Sequence, residues 1–235
     1  MLNLHRGQGR DIFWRTTSYL ASEEEYRQMV CDKTGGLFRL AIRIMQSLST
    51  SAEERMLKKL STMSMSEISI SSSTQSRNRL RSTSSFIYTQ TSDFTVLSDQ
   101  LACFFQVRDD LINLASPKFH KTKGFCEDIT EGKFSFIALH ALRTLRDSKR
   151  QEEMNELLSL LQNKTTDRKQ IKRALLIMDL TGSFDYTLKY LRKLLVQMKD
   201  SIDLIGENKM LVMLIDNLAK DLDDCYDIRK RVIEA

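Results

Sequence analysis

The stretch FFQVRDDLINLASPKFHKTKGFCEDITEGKFSF, residues 104–136, brings acidic and basic side chains together within a short span. Its first part is predicted to be helical, because apolar residues recur at steps of three and four from Phe94 to Phe105. Four polar side chains then project from one side of about two helical turns: Gln106, Asp109, Asp110 and Asn113. The sequence therefore predicts that these four groups converge on one volume.

The adjacent carboxylates of Asp109 and Asp110 are the unusual feature of this helix. Two carboxylates that are brought so close repel each other and lose hydration, unless a divalent cation neutralises them. Oxygen ligands suit Mg²⁺ that is held jointly with a substrate phosphate. The pair therefore indicates a Mg²⁺ site, although a lone aspartate pair on a helix is more often a solvated surface pair.

Basic residues accompany the aspartate pair in two segments. Lys123 and Lys133 follow it in a segment that contains two glycines and is expected to form a loop. Lys33 and Thr34 lie in the stretch DKTGG, where glycines allow an anion to approach backbone N–H groups. Carboxylates, lysines and a helical cavity together favour diphosphate binding. Taken alone, DKTGG would be only a helix break, and Gln106 only a satisfied core amide.

A second aspartate cluster, DDCYD, occurs near the C-terminus. It matches the pattern DDxxD more literally than DDLIN does, but basic residues follow it immediately and no glycine-lysine loop follows. Pairing of Asp227 with Arg231 at helical i,i+4 spacing accounts for it. We therefore place no metal site there.

The composition favours an all-α fold. The 235 residues include only eight Gly and one Pro, and strand-like alternation is scarce. Apolar residues at helical spacing predict helices in five regions: 23–48, 152–162, 168–180, 184–205 and 209–231. The pair Gly35 and Gly36 interrupts the first region and predicts either a helix break or a close approach of its backbone to another part of the molecule.

We interpret residues 1–235 as a single domain with a low-complexity insertion at about 52–92. Ser and Thr occupy 17 of the 32 positions from 61 to 92, so this insertion is expected to be disordered. The four cysteines are far apart and have no zinc-ligand spacing, which is typical of free thiols in a reducing compartment.

Charge and hydropathy narrow the function classes further. A net charge of +5 with interspersed acidic residues and no aromatic-interleaved basic stripe argues against nucleic-acid binding. The N-terminus has no apolar signal region, and no apolar stretch approaches the roughly 18 residues of a membrane span. We expect a soluble, cytoplasmic protein.

Five blocks of the sequence, in order, resemble geranylgeranyl diphosphate synthases of animal and fungal type. They are LHRGQGRDIFWR, EEEYRQMVCDKTGGLFRLAIRIMQ, FFQVRDDLINL, KGFCEDITEGKFSF and TGSFDYT. The resemblance implies an isoprenoid synthase-type helical bundle around a deep cavity, usually dimeric. It also implies Mg²⁺ as cofactor and elongation of an allylic diphosphate, farnesyl diphosphate, by isopentenyl diphosphate to geranylgeranyl diphosphate.

The resemblance also implies roles for individual residues. The Mg²⁺ ligands of the second aspartate-rich motif would be Asp109, Asp110 and Asn113. The substrate-binding residues would be Lys33, Thr34, Gln106, Lys123 and Lys133, and the three lysines would also be catalytic. Asp128 would lie near the water shell of the metal.

The sequence departs from the family in two places. The first aspartate-rich motif and the helices that carry it would precede LHRGQG, so the chain is expected to be a C-terminal part with those helices missing. The insertion at about 52–92 lies where the family has a short connection. We expect the chain alone to be a feeble catalyst. The alternative is an inactive paralogue or fragment that acts as a binding subunit of a complete synthase, so that the protein would form homo-oligomers or hetero-oligomers.

Overall fold

The computed structural model describes residues 2–48, 94–115, 125–206 and 208–234, with side chains as far as residue 222. Throughout these ranges the secondary structure is helical and no strand is present, which confirms the predicted all-α class. The low-complexity insertion and Lys123 lie outside the described residues. So do the side chains of the DDCYD cluster. Within the described ranges, none of the helices is both long and apolar enough to span a membrane.

The helices follow one another in chain order with short connections. The first three segments are α1 (Leu2–Thr17), α2 (Glu23–Val30) and α3 (residues 36–48), and a π-helical turn at Cys31–Gly35 joins α2 to α3. The next three are α4 (Thr95–Ala115), α5 (Glu127–Thr130) and α6 (Phe136–Asp147). The last four are α7 (Gln151–Gln162), α8 (Arg168–Leu180), α9 (Ser183–Ile205) and α10 (Lys209–Glu234). All five predicted helical regions, and the helix with the aspartate pair, are confirmed.

Two helices, α1 and α6, were not predicted. The buried residues of α1 are Gly7, Asp11 and Trp14, so its buried face has helical spacing but only one large apolar side chain. Helix α6 places seven apolar residues in the core between Phe136 and Leu145, while Arg146 and Asp147 are exposed. Helix α1 thus lacks the apolar face that predicts an amphipathic helix, whereas α6 has such a face and its pattern was overlooked.

Helix α4 is the central element of the bundle. Twelve of its residues are buried, and it packs against α9, α10, the π-turn, α2, α5 and α6. Because its neighbours surround it, polar side chains on α4 near the aspartate pair face other helices and not only solvent. This placement decides the environment of the predicted site.

The glycine pair lies where α2 becomes α3, and the helix continues through it as a π-turn. A Cβ atom on Gly35 would lie 3.1 Å from the Oδ1 atom of Asp99 and 3.5 Å from the Cβ atom of Ala102, both on α4. Of the two predicted alternatives, the close approach is therefore the one that the structure contains. A Cβ atom on Gly7 of α1 would lie 2.6 Å from the backbone nitrogen of Lys33, so α1 also packs closely on this turn.

Candidate active site

The carboxylate of Asp110 is completely buried and accepts four hydrogen bonds. Its Oδ1 atom accepts from the Nζ of Lys133 at 2.7 Å and from the Nε2 of Gln106 at 3.0 Å. Its Oδ2 atom accepts from the hydroxyl of Tyr26 at 2.7 Å and from the backbone N–H of Phe136 at 3.0 Å. Asp110 thereby ties α2, the segment after α5 and the N-terminus of α6 to α4.

Lys133 lies between two carboxylates. Its Nζ atom is 2.7 Å from Asp110 Oδ1 and 3.1 Å from both oxygens of Asp128. Burial opposes the charge of Lys133, but the two carboxylates outweigh this effect and raise its pKa. Burial, followed by the negative charge of Asp110, raises the pKa of Asp128 to about 7, although Lys133 acts in the opposite direction. Lys133 therefore stays charged, whereas Asp128 titrates near neutral pH.

Asn113 positions the segment that carries Asp128. Its Oδ1 atom accepts the backbone N–H of Asp128 at 3.0 Å, and both residues are buried. Asp128 lies on the short helix α5, which replaces part of the predicted loop. Gly132, at a φ of +67°, then turns the chain so that Lys133 points back to α4.

Lys33 belongs to a second cluster around Asp11 of α1. The Nζ atom of Lys33 is 2.7 Å from the Oδ2 atom of Asp11, and Arg15 donates two hydrogen bonds to the same carboxylate at 3.1 and 3.0 Å. Burial would raise the pKa of Asp11, but hydrogen bonds from Arg15 and Lys33 outweigh it and lower the pKa. Asp11 therefore holds Lys33 in one orientation.

Gln106 links Thr34 of the π-turn to Asp110. Its Oε1 atom accepts a long hydrogen bond from the hydroxyl of Thr34 at 3.4 Å, while its Nε2 atom donates to Asp110. The structure thus places five predicted residues in one hydrogen-bonded cluster: Gln106, Asp110, Asn113, Asp128 and Lys133. Thr34 joins this cluster through Gln106, and Lys33 is held separately by Asp11.

Comparisons with known proteins identify the family of the chain. The family model described as polyprenyl synthetase matches residues 1–67 and 73–178. The chain belongs to the polyprenyl synthetase family. Its cluster of buried aspartates and a lysine is therefore a candidate active site of a polyprenyl synthetase.

Several curated members of this family are similar to the chain. It is 36% identical over 218 residues to a geranylgeranyl pyrophosphate synthase of Dictyostelium discoideum, with 93% of this chain and 57% of that protein covered. It is 36% identical over 223 residues to a geranylgeranyl pyrophosphate synthase of Hypoxylon pulicicidum, with 92% and 46% covered. A terpene synthase of Matsumurasca onukii is 33% identical over 218 residues, with 93% and 57% covered. The chain spans about half the length of these relatives.

The side chain of Asp109 differs from that of its neighbour. It is half-buried, and within the described residues it accepts no hydrogen bond and forms no ion pair. Its negative charge still helps to raise the pKa of Asp128, although burial and the charge of Asp110 have larger effects. Of the three residues predicted as Mg²⁺ ligands, Asp109 is therefore the one whose side chain is not hydrogen-bonded to another described residue.

The oxygen atoms at this site can be compared with the ligands that Mg²⁺ usually has in proteins. Among the described residues, no three His, Cys, Asp or Glu side chains are grouped so as to hold a metal ion. Mg²⁺ in phosphate sites, however, is commonly bound by one or two carboxylates together with water and substrate phosphates. Asp109 fits that requirement. Metal binding by Asp110 and Asn113 stays a prediction, since their oxygens accept protein hydrogen bonds here.

Three contributors to the site were not identified from the sequence: Asp11, the hydroxyl of Tyr26 and the backbone N–H of Phe136. Asp11 and Tyr26 lie within blocks that carry the family resemblance, but no spacing rule connects them to residues about 20 or 80 positions away. The N–H of Phe136 is available because N–H groups in the first turn of a helix have no intrahelical acceptors, and the Ser135 cap accepts from Ala138 instead. Only a capping signal at Ser135 could have indicated it.

Proposed function

We propose that this chain carries part of the active site of a prenyltransferase that elongates farnesyl diphosphate with isopentenyl diphosphate to geranylgeranyl diphosphate. The observation that carries the proposal is the cluster on α4: Lys133 lies between the carboxylates of Asp110 and Asp128, beside the available carboxylate of Asp109. Membership of the polyprenyl synthetase family and the names of the relatives support the reaction class.

The net negative charge of the cluster means that an anionic ligand can bind only together with a cation. Asp109, Asp110 and Asp128 carry three negative charges when ionised, and Lys133 carries one positive charge, so the net charge is −2. A diphosphate would be repelled by such a cluster unless a divalent cation lay between them. We therefore propose that Mg²⁺ is the cofactor and that Asp109 supplies a carboxylate oxygen to it.

The remaining residues would prepare the site for departure of the diphosphate. Mg²⁺, when bound, would supply positive charge that stabilises the leaving group. Asp110 and Asp128 hold the ammonium of Lys133 in a fixed position, and Asp11 does the same for Lys33. Cations held in place before the reaction need no reorganisation as negative charge develops. Thr34, Gln106 and Lys123 are proposed to contact the same substrate.

We also propose the single-domain organisation, the cytoplasm as the compartment, and assembly as a homo-oligomer or a hetero-oligomer with a complete synthase. Allylic and isopentenyl diphosphates are the proposed small-molecule partners. The support for a cytoplasmic location is compositional: the cysteines lack disulfide or zinc spacing, and the three cysteines whose side chains are described are free thiols.

Calorimetric titration of the chain with inorganic pyrophosphate, with and without Mg²⁺, tests the proposed site. We expect binding only in the presence of Mg²⁺, and a reduction in affinity of at least ~10-fold for Asp109→Asn, because the carboxylate oxygen that meets the metal is lost. Asp147→Asn, at an exposed position at the end of α6, is the matched control and should bind as the wild type does. Binding that does not depend on Mg²⁺, or equal affinity in all three proteins, would contradict the proposal.

A second candidate function is that of a catalytically inactive binding subunit of a complete synthase. The observation that favours it is the engagement of Asp110 and Asn113 by protein groups, which leaves Asp109 alone among the predicted ligands to meet a cation. Size-exclusion chromatography of the chain mixed with a complete geranylgeranyl diphosphate synthase tests it. Co-elution in a stable complex supports the subunit role, and separate elution at micromolar concentration opposes it.

A further inference from the structure

A cavity of about 710 Å³ lies between α2, the N-terminal half of α4 and α9. Its lining includes Arg27, Cys31, Asp99, Cys103, Tyr190 and Lys193. None of the hydrogen-bonded residues around Asp110 lines it. The cavity is therefore distinct from the candidate active site, and two cysteines form part of its wall.

The sulfur atoms of Cys31 and Cys103 are 3.9 Å apart, close enough for one thiol to hydrogen-bond the other. Cys31 lies on the π-turn and is partly exposed, whereas Cys103 on α4 is buried. A disulfide needs a sulfur-sulfur distance of about 2.05 Å, so the two atoms need to approach by roughly 2 Å. Of the two side chains, the partly exposed Cys31 is the less confined.

The surroundings distinguish the two thiols. A hydrogen bond with Cys103 lowers the pKa of Cys31, while burial and the negative charge of Asp99 oppose it and the positive charges of Arg27 and Arg39 support it. The same interaction, followed by burial, raises the pKa of Cys103. An incoming disulfide can reach the partly exposed Cys31 but not the buried Cys103, so Cys31 is assigned as the attacking thiol and Cys103 as the resolving one.

We propose that Cys31 and Cys103 are an oxidisable thiol pair, and that a small disulfide such as oxidised glutathione enters the cavity and converts the pair to an intramolecular disulfide. The Cys31 thiolate attacks one sulfur of oxidised glutathione and releases one glutathione thiolate. The Cys103 thiol then loses its proton and attacks the Cys31 sulfur of the mixed disulfide, which releases the second glutathione. The cysteines lose two electrons and two protons, and oxidised glutathione becomes two molecules of glutathione.

The bond would join the π-turn to α4 next to residues of the candidate active site. Thr34 lies three residues after Cys31, and Gln106 lies three residues after Cys103. Thr34 and Gln106 are hydrogen-bonded to each other in the reduced protein. The thiol pair is thus one helical turn away from a contact of the site, but the inference does not depend on the proposed activity.

The experiment uses the full chain with Cys225→Ser throughout, so that three thiols remain. The protein is incubated with oxidised glutathione, the free thiols are alkylated, and intact mass and a non-reducing peptide map are recorded. We expect two of the three thiols to be lost and the peptides of Cys31 and Cys103 to be joined. Cys103→Ser should stop at one glutathionyl group on Cys31, and Cys31→Ser should form no such disulfide.

Cys126→Ser is the matched control, because Cys126 is completely buried and its thiol donates to the carbonyl oxygen of Leu114. Its disulfide should form as in the parent protein. A parent protein that keeps a glutathionyl group on Cys31 without the cross-link, or that keeps all three thiols, would overturn the proposal. The peptide map of the parent decides this without any variant at Cys31 or Cys103.

Discussion

Asp109 and Asp110 are chemically identical neighbours with different environments. Asp110 is buried and accepts four hydrogen bonds, whereas Asp109 is half-buried and accepts none within the described residues. Successive residues on a helix point about 100° apart, so only one of the two can face the junction of α2 and α6. The two residues therefore have different roles. Asp110 holds the surrounding segments together, and Asp109 is proposed to meet a ligand.

Asp110→Asn tests this division at the level of stability. The change removes one partner of a buried ion pair and leaves donors of Lys133, Gln106 and Tyr26 without a carboxylate, so we expect the free energy of unfolding to fall by about 3 kcal/mol or more. Urea denaturation in EDTA measures it. Asp109→Asn is the control and should lie within about 0.5 kcal/mol of the wild type. Equal effects of the two changes would contradict the division of roles.

Asp128 gives a prediction for the dependence of stability on pH. Its pKa is raised from 3.8 to about 7, so the folded state holds a proton that the unfolded state releases. The stability that this group contributes is fully present below pH 3.8 and is lost as the pH rises through about 7. In EDTA, the difference in unfolding free energy between the wild type and Asp128→Asn should therefore decrease between about pH 4.5 and about pH 8. If this difference in unfolding free energy instead increased with pH, the effect of Lys133 on the pKa of Asp128 would outweigh that of burial.

At the scale of the elements, the segment from Cys126, just before α5, to Lys133, just after it, has the most constrained backbone. Within eight residues it contains a left-handed Cys126, a left-handed Gly132 and Lys133 directed back at α4. The N-cap Ser135 then begins α6 and presents the N–H of Phe136 to Asp110. The conformation of this segment, more than its composition, decides where the lysine lies.

Gly132→Ala tests the dependence on that conformation. A Cβ atom at a φ of +67° is unfavourable by about 1–2 kcal/mol, and this one would also lie 2.5 Å from the carbonyl oxygen of Leu161. We expect a loss of at least about 2 kcal/mol in urea denaturation. Gly36→Ala is the control, because its helical position is open within 4 Å and alanine there should stabilise by about 0.5–1 kcal/mol. Similar losses in both variants would refute the argument.

At the scale of the whole molecule, the sequence has few paired aspartates that could bind Mg²⁺ for the proposed diphosphate substrate. Adjacent aspartates occur only at Asp109–Asp110 and in the C-terminal DDCYD cluster. The chain also spans 57% and 46% of two geranylgeranyl pyrophosphate synthases that it resembles. In the proposed function, the cluster around Asp110 would supply part of the charge that a leaving diphosphate needs.

We predict that the 235-residue chain alone, incubated with farnesyl diphosphate, isopentenyl diphosphate and Mg²⁺, forms the C20 product far more slowly than a complete synthase. Loss of a single electrostatic contact in such sites costs ~10²–10³ in rate, and these 235 residues span only about half the length of the synthases they resemble. Radiolabelled product formation, with a complete synthase as control, measures it. Comparable rates would show that the chain supplies the whole site.

Features that depend on neighbouring residues could be predicted from the sequence, whereas contacts between distant segments could not. Helices with one apolar face, such as α9, were predicted, because their periodicity is local. Helix α1 was missed, because its buried face consists of Gly7, Asp11 and Trp14, whose partners lie on the π-turn. The cluster of Gln106, Asp110 and Lys133 could be predicted from spacing and family resemblance. The roles of Asp11 and Tyr26 could not, since they arise from contacts between distant segments.

The sequence by itself determined the all-α class, the helix with the aspartate pair and the family, because helical periodicity and ordered motifs are properties of neighbouring residues. Only the tertiary structure decided that Asp110 is enclosed by four donors while Asp109 stays available, and that Cys31 meets Cys103. The physical reason is that burial and pairing depend on how α2, α4 and α6 pack against one another. That packing joins residues more than 70 positions apart, which no local pattern records.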